Sequence, residues 1–171
     1  VGKEMVICDK RHRYMDRCQD DEVCVCEMSQ ANVEQISRII EIAGSDPTGW
    51  RKTTLEERHK IMYEAANRLG EMRGDLIGCM CAITGKTVVE GDVEVSEGID
   101  YARFYTTSMK LFADLPDVDI TPEGTVLVIS PWNFPCAIPI GGIVAALAGG
   151  NTVILKPATV AAPVAWLFAQ A

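Results

Sequence analysis

An α/β fold is predicted for this 171-residue chain: a helical layer, preceded by an edge hairpin, leads into the first βαβ unit of a parallel sheet that remains incomplete. Two observations carry that prediction. Between Val33 and Lys110 apolar residues recur at helical spacing in four successive runs. From Gly124 through Leu155 there is no charged residue, and two short runs rich in Val, Ile and Leu flank an apolar segment that closes on Gly149-Gly150. Central parallel strands are covered on both faces, so they read as continuous apolar runs rather than alternating ones. The chain divides accordingly into a hairpin segment over 1–30, a helical lead-in over 31–123 and the βαβ unit over 124–171.

The runs over 5–8 and 23–26 read as two strands around a polar connection rich in Arg, Asp and His, an edge hairpin. Val33, Ile36, Ile39, Ile40 and Ala43 then share one helical face, which Gly44 and Pro47 bring to a stop. Thr54 with Glu57 three residues on is a capping-box signature that starts a second helix near Leu55, with Ile61, Met62, Ala65, Ala66 and Leu69 as its apolar run. A third helix over 75–84 buries Leu76, Ile77, Met80 and Ile83 and ends at Gly85, since glycine adopts the left-handed helix stop most easily. The fourth, over 88–110, offers Ile99, Ala102 and Tyr105 to the core and turns Glu90, Asp92, Glu94 and Glu97 to water. A strand over 125–129, a Pro-rich loop, a helix over 138–148 and a strand over 152–155 make the βαβ unit, and Pro163 opens a further helix.

Sixteen basic against 24 acidic residues give a net charge of -8, which excludes a strongly basic nucleic-acid binder. A hydrophobic share of 48% with 23% charged residues excludes disordered, collagen-like and low-complexity chains. The seven cysteines contain no C-x-x-C pair, so a zinc ribbon or redox dithiol of that spacing is absent; they read as free thiols of a reducing cytoplasm. No metal site is expected. A membrane span needs about 20 consecutive apolar residues, and the uncharged stretch is broken by Pro131, Pro135, Pro139, Asn133, Asn151 and two Gly-Gly pairs, so none is expected. The start at Val1, without a secretory pattern, reads as a cut, and the fold as unfinished after Ala171.

Two segments carry chemistry. Ser130-Pro131-Trp132-Asn133-Phe134-Pro135 follows the first strand of the βαβ unit, and Lys156-Pro157-Ala158-Thr159 follows the second. Ligands of open α/β sheets bind at the carboxyl ends of strands, which puts both segments on one rim. An amide on a loop stiffened by prolines can be a preorganised donor to a developing oxyanion, and an ammonium at the next strand end can hold ribose hydroxyls or a phosphate. The same residues also suit a turn merely shaped by prolines and a lysine that merely solubilises a strand end. Cys136, one residue past the loop, is rejected as a nucleophile because neither His12 nor His59 is near it in sequence to activate it. Both histidines read as solvated.

Gly124 to Pro135, the turn Gly149-Gly150-Asn151-Thr152 and Lys156-Pro157-Ala158 resemble the start of the cofactor-binding domain in the aldehyde dehydrogenase superfamily. Trp50, Glu57-Arg58, Thr84-Gly85-Lys86, Glu94 and Asp100-Tyr101 resemble the helical lead-in of the same superfamily, so the likeness spans 32–171. In overall texture the chain is most similar to the pyrroline-5-carboxylate (glutamate-semialdehyde) dehydrogenases, including the dehydrogenase half of bifunctional proline-utilisation enzymes.

That resemblance implies a Rossmann-like cofactor domain and a fragment of a larger fold. It implies that Asn133 donates to the oxyanion of a thiohemiacetal, that Ile129, Ser130, Pro131 and Trp132 line the nicotinamide side of a cofactor channel, and that Lys156, with Ala158 and Thr159 beside it, meets the adenine ribose. Thr159 stands where family members often carry a glutamate that disfavours an extra phosphate, so the cofactor is NAD or NADP.

The implied activity is oxidation of an aldehyde to a carboxylate through a cysteine thioester, with glutamate 5-semialdehyde as substrate, in the proline catabolism of the cytoplasm. The parent protein would be a homo-oligomer, open to fusion with a proline dehydrogenase domain. The family's cysteine and glutamate lie farther along than Ala171, so the 171-residue chain alone is expected to be inactive. Two other readings stand beside this one: an acylating enzyme that ends on coenzyme A or phosphate, and a free-standing nucleotide-binding module.

Overall fold

The computed structural model describes residue 5, residues 7–19 and residues 22–171. Strands β1 (Arg11–Met15) and β2 (Cys24–Ser29) form an antiparallel hairpin with a bulge between Tyr14 and Met15. The hairpin is where the sequence expects one, but its first strand is not. Val6 of the expected run lies outside the described residues, while Met5, Ile7 and Cys8 are in no strand, and the strand forms instead from the polar segment expected to connect the pair. Its inward positions are His12 and the buried Tyr14, and its outward Arg11 and Arg13 pair with Glu27 across the hairpin at 3.9 and 3.3 Å. Alternation is present, but histidine and tyrosine stand where aliphatic residues would have announced it.

Helices α1 (Val33–Ser45), α2 (Leu55–Glu71), α3 (Arg73–Thr84) and α4 (Val88–Ala113) follow in order. The capping box expected at Thr54 and Glu57 is formed: Glu57 N–H donates to Thr54 Oγ1 at 3.1 Å and Thr54 N–H to Glu57 Oε2 at 2.8 Å. Asn32 with Gln35 and Thr87 with Glu90 close α1 and α4 in the same way. The core joins Met62, Ala66 and Leu69 of α2, Leu76 and Met80 of α3, and Val95, Ile99 and Ala102 of α4. Ile61, expected inside, is half exposed, and α1 buries no residue: Val33, Ile36 and Ile40 are all open to solvent among the described residues. Periodicity fixes which residues share a face; what covers that face is a tertiary matter.

Strand β3 (Thr125–Ile129), helix α5 (Ala137–Ala148) and strand β4 (Thr152–Lys156) form the βαβ unit, and α6 (Ala162–Phe168) begins beside Pro163. β3 and β4 are parallel, with Thr125 opposite Thr152 and Ile129 opposite Lys156. Helix α5 lies against β3 closely enough that a Cβ on Gly142 would meet Val128 at 3.0 Å, and against α4, where a Cβ on Gly98 would meet Ile140 at 3.1 Å. The expected two-sided cover of β3 is one-sided among the described residues: Val126 and Val128 are half-buried while Leu127 and Ile129 stand open. No helix among the described residues is long and apolar enough to cross a membrane.

Candidate functional site

The register of β3 and β4 places Ile129 and Lys156 side by side at the carboxyl ends of both strands. Ser130, 7% exposed, continues the pairing by donating its N–H to the Lys156 carbonyl at 3.4 Å. The two predicted segments therefore do emerge on one rim. Ile129 and Trp132 are exposed there, Pro131 and Ala158 half-buried, and Lys156 and Thr159 exposed. Tyr14 of the hairpin reaches the same rim, donating its hydroxyl to the Thr159 carbonyl at 2.8 Å. A cavity of about 460 Å³ beside it is lined by Arg17, Ile83, Thr84, Trp132 and Val160.

Asn133 is exposed at the tip of the loop, and among the described residues its amide has no intramolecular partner. Lys156 likewise makes no ion pair there, although its backbone is fixed in the sheet. An amide donor and an ammonium thus stand available on a rigid frame, as a cofactor and a carbonyl substrate would need. The loop turns inward after Phe134: Pro135, Cys136 and Ala137 are buried, and Cys136 is fully enclosed. Burial, and secondarily the Glu94 carboxylate, push the Cys136 thiol up to about 12, so it stays protonated at neutral pH and is no nucleophile. His12 and His59, expected to be solvated, are half-buried; the ring of His12 packs edge-on against Tyr14, and His59 lies beside Tyr63. In each case the aromatic ring is a near neighbour in sequence, two or four residues on.

The largest departure from the sequence reading is Glu94. Expected on a solvated face with Glu90 and Asp92, it is 1% exposed, and its Oε1 accepts from the Cys136 N–H at 2.7 Å and the Ala137 N–H at 3.0 Å. Its Oε2 pairs with Lys86, whose ammonium also lies 4.2 Å from the centroid of the Phe134 ring. At the other end of α5, Arg58 of α2 is 8% exposed and donates to the Ala148 carbonyl at 3.4 Å, the Arg51 carbonyl at 3.2 Å and Thr53 Oγ1 at 3.0 Å. A sequence signal for Glu94 did exist. It falls within the buried spacing Gly91, Glu94, Val95, Gly98, Ile99, Ala102, so it occupies a core position of its helix.

Asn151 completes the frame below the rim. Its side chain accepts from Gly124 N–H and donates to the Ala146 carbonyl, both at 3.0 Å, tying the start of β3 to the end of α5. The Gly149-Gly150-Asn151-Thr152 turn is thus a brace between helix and sheet.

Comparison with known proteins gives a consistent picture. The model of the Aldehyde dehydrogenase family matches residues 8–171. A 1-pyrroline-5-carboxylate dehydrogenase of Geobacillus sp. (strain WCH70) is 33% identical over 180 aligned residues, covering 99% of this chain and 35% of the relative. The chain therefore spans about a third of the length of that curated relative. The solved structure of a Thermus 1-pyrroline-5-carboxylate dehydrogenase with bound NAD superposes with a TM-score of 0.87 at 28% identity, over 99% of this chain and 36% of the other. Proline utilization A from Bdellovibrio bacteriovorus superposes with a TM-score of 0.91 at 26% identity, over 98% of this chain and 18% of that one.

Proposed function

Because the chain belongs to the aldehyde dehydrogenase family, we propose that it supplies the oxyanion donor and part of the cofactor rim of an enzyme that oxidises an aldehyde to a carboxylate with NAD or NADP. The observation that carries this reading is the register of Ile129 against Lys156, which sets the Asn133 loop and the Lys156 strand end on a single rim. Asn133 donates its amide N–H to the aldehyde oxygen as that oxygen becomes negative. Lys156, with Ala158 and Thr159, holds the adenine ribose, while Ile129, Ser130, Pro131 and Trp132 line the nicotinamide side. The fit is supported by an exposed lysine and an exposed amide that are unpartnered among the described residues. When bound, the nicotinamide supplies the acceptor for the substrate's hydride. Cys136, protonated and enclosed, takes no part, so the nucleophile and the general base belong to the remainder of the full-length protein.

The substrate we assign is L-glutamate 5-semialdehyde, in equilibrium with pyrroline-5-carboxylate, on the strength of 33% identity to a named pyrroline-5-carboxylate dehydrogenase. A cytoplasmic homo-oligomer in proline catabolism is the setting that suits it, and the likeness to proline utilization A supports a parent chain fused to a proline dehydrogenase domain. The test is formation of reduced nicotinamide by the purified full-length protein, supplied in turn with glutamate semialdehyde, succinic semialdehyde and short aliphatic aldehydes, each with NAD and with NADP. Glutamate semialdehyde should give the highest kcat/KM without added coenzyme A or phosphate. Turnover that requires either addition would select the acylating reading, and binding of nucleotide without turnover of any aldehyde would select the module.

A further inference from the structure

We propose that Glu94, with Lys86 behind it, is a positioning residue for Asn133: the buried carboxylate tethers the inner end of the Pro131–Pro135 loop and thereby holds the Asn133 amide in its productive place. The inference rests on the reading of Asn133 given above. A buried carboxylate is costly unless its charge is paired and its lone pairs are filled. Glu94 has its charge paired with the Lys86 ammonium at Oε2, and its Oε1 is filled by two backbone donors at 2.7 and 3.0 Å. Those donors are the first amides of α5, a helix with no capping side chain at Cys136 and no acidic residue in its first turn. Glu94 therefore supplies from α4 the negative charge that the helix start favours.

The geometry joins this tether to the site. Cys136 is three residues from Asn133, and the residues between are Phe134, which lies under the Lys86 ammonium at 4.2 Å, and the buried Pro135. The loop is thus held at both ends, by Ser130 paired into the sheet and by Cys136 and Ala137 on Glu94. Between these anchors Asn133 has no side-chain partner of its own among the described residues. Its position must come from the backbone, and a displacement of about 1 Å in such a group can cost about 100-fold in rate.

The experiment uses the full-length protein and four variants: Glu94→Ala, Glu94→Asp, Glu94→Gln and Asn133→Ala. Glu94→Ala should lower kcat by about tenfold or more while cofactor affinity changes less than about twofold, because a misplaced donor loses transition-state stabilisation. Glu94→Asp, one methylene too short to reach both amides, should show the same loss, and it replaces the alanine variant if that one does not fold. Glu94→Gln keeps an oxygen for the two N–H groups but leaves the Lys86 ammonium unpaired, and should recover part of the lost rate. Combined with Asn133→Ala, the loss due to Glu94→Ala should fall below about twofold, since a residue acting through another is non-additive with it.

Hydrogen exchange of the peptide over 130–137 should rise in Glu94→Ala whatever Asn133 does, which separates the tether from the reading of the amide. Unchanged exchange overturns the tether. Unchanged kcat in Asn133→Ala overturns the oxyanion reading instead. Equal losses with and without Asn133, a loss confined to cofactor affinity, or failure of both Glu94→Ala and Glu94→Asp to fold would make Glu94 a purely structural residue and overturn the proposal.

Discussion

Helices α2 and α4 close their own amino ends with Thr54–Glu57 and Thr87–Glu90 boxes, whereas α5, which supports the candidate site, carries no polar residue able to do so. Its two ends are served from the helical layer instead: Glu94 of α4 accepts from the first amides, and Arg58 of α2 donates to the Ala148 carbonyl near its end. Each charge has the sign that the nearby end of the helix dipole favours. The difference explains how residues 124–155 can be free of charge and still fold around a rim. Backbone groups at both ends of α5 are satisfied by side chains from elements packed behind it, so the segment needs no charge of its own there.

The comparison breaks most visibly at Arg58. Arg58→Ala should destabilise the full-length protein by about 3 kcal/mol, because it removes charge-assisted hydrogen bonds and leaves buried carbonyls unpaired. Denaturant titration against the unsubstituted protein checks it; a change within error would mean that water replaces the guanidinium. Gly150→Ala sharpens the same point. Gly150 has φ of 84°, and an added Cβ would lie 2.7 Å from the Arg58 guanidinium. Backbone strain alone should cost about 1 to 3 kcal/mol, and part of the total should disappear in an Arg58→Ala background, where the clash is gone.

Self-capped helices should respond more weakly. Thr87→Ala is expected to cost about 1 kcal/mol, the usual loss for an N-cap hydroxyl. Hydrogen bonds from the Thr87 backbone N–H, and then from its hydroxyl, hold the Glu90 carboxyl below the usual range. A lowered folded value stabilises the protein above the ordinary glutamate range, and that contribution is lost as pH falls through the lowered value. The difference between Thr87→Ala and the unsubstituted protein should therefore shrink on acidification, as melting curves across the acidic range would show. The smallest effect belongs to Cys136. With its thiol pushed up to about 12, it should resist alkylation in the native protein while the exposed Cys18 reacts, as mass spectrometry of labelled peptides would reveal.

These contrasts also mark what could be read from the sequence. The βαβ unit and its rim were legible because unbroken Val, Ile and Leu runs and paired glycines are local features, and the Thr54–Glu57 box was legible because its spacing is its mechanism. Glu94 and Arg58 were not recognised as buried groups: their burial depends on partners 42 and 90 residues away, and a charge in a helix ordinarily signals solvent. Strand β1 was missed for the converse reason, since Arg11 and Arg13 hide the alternation of His12 and Tyr14. The apolar face of α1 is only partly covered among the described residues: Ile39 and Ala43 are half-buried, while Val33, Ile36 and Ile40 stay open.

The most direct test of the account is a paired measurement on Asn133→Ala and Lys156→Ala in the full-length protein, with saturating aldehyde and a cofactor titration for each. Loss of the amide should lower kcat by about 10² to 10³-fold, the usual cost of removing one oxyanion donor, with cofactor affinity nearly unchanged. Loss of the ammonium should do the reverse, weakening cofactor binding while turnover at saturation stays close to that of the unsubstituted protein. If Asn133→Ala kept its turnover and only weakened cofactor binding, the division of labour across the rim would be contradicted and the loop would belong to nucleotide positioning.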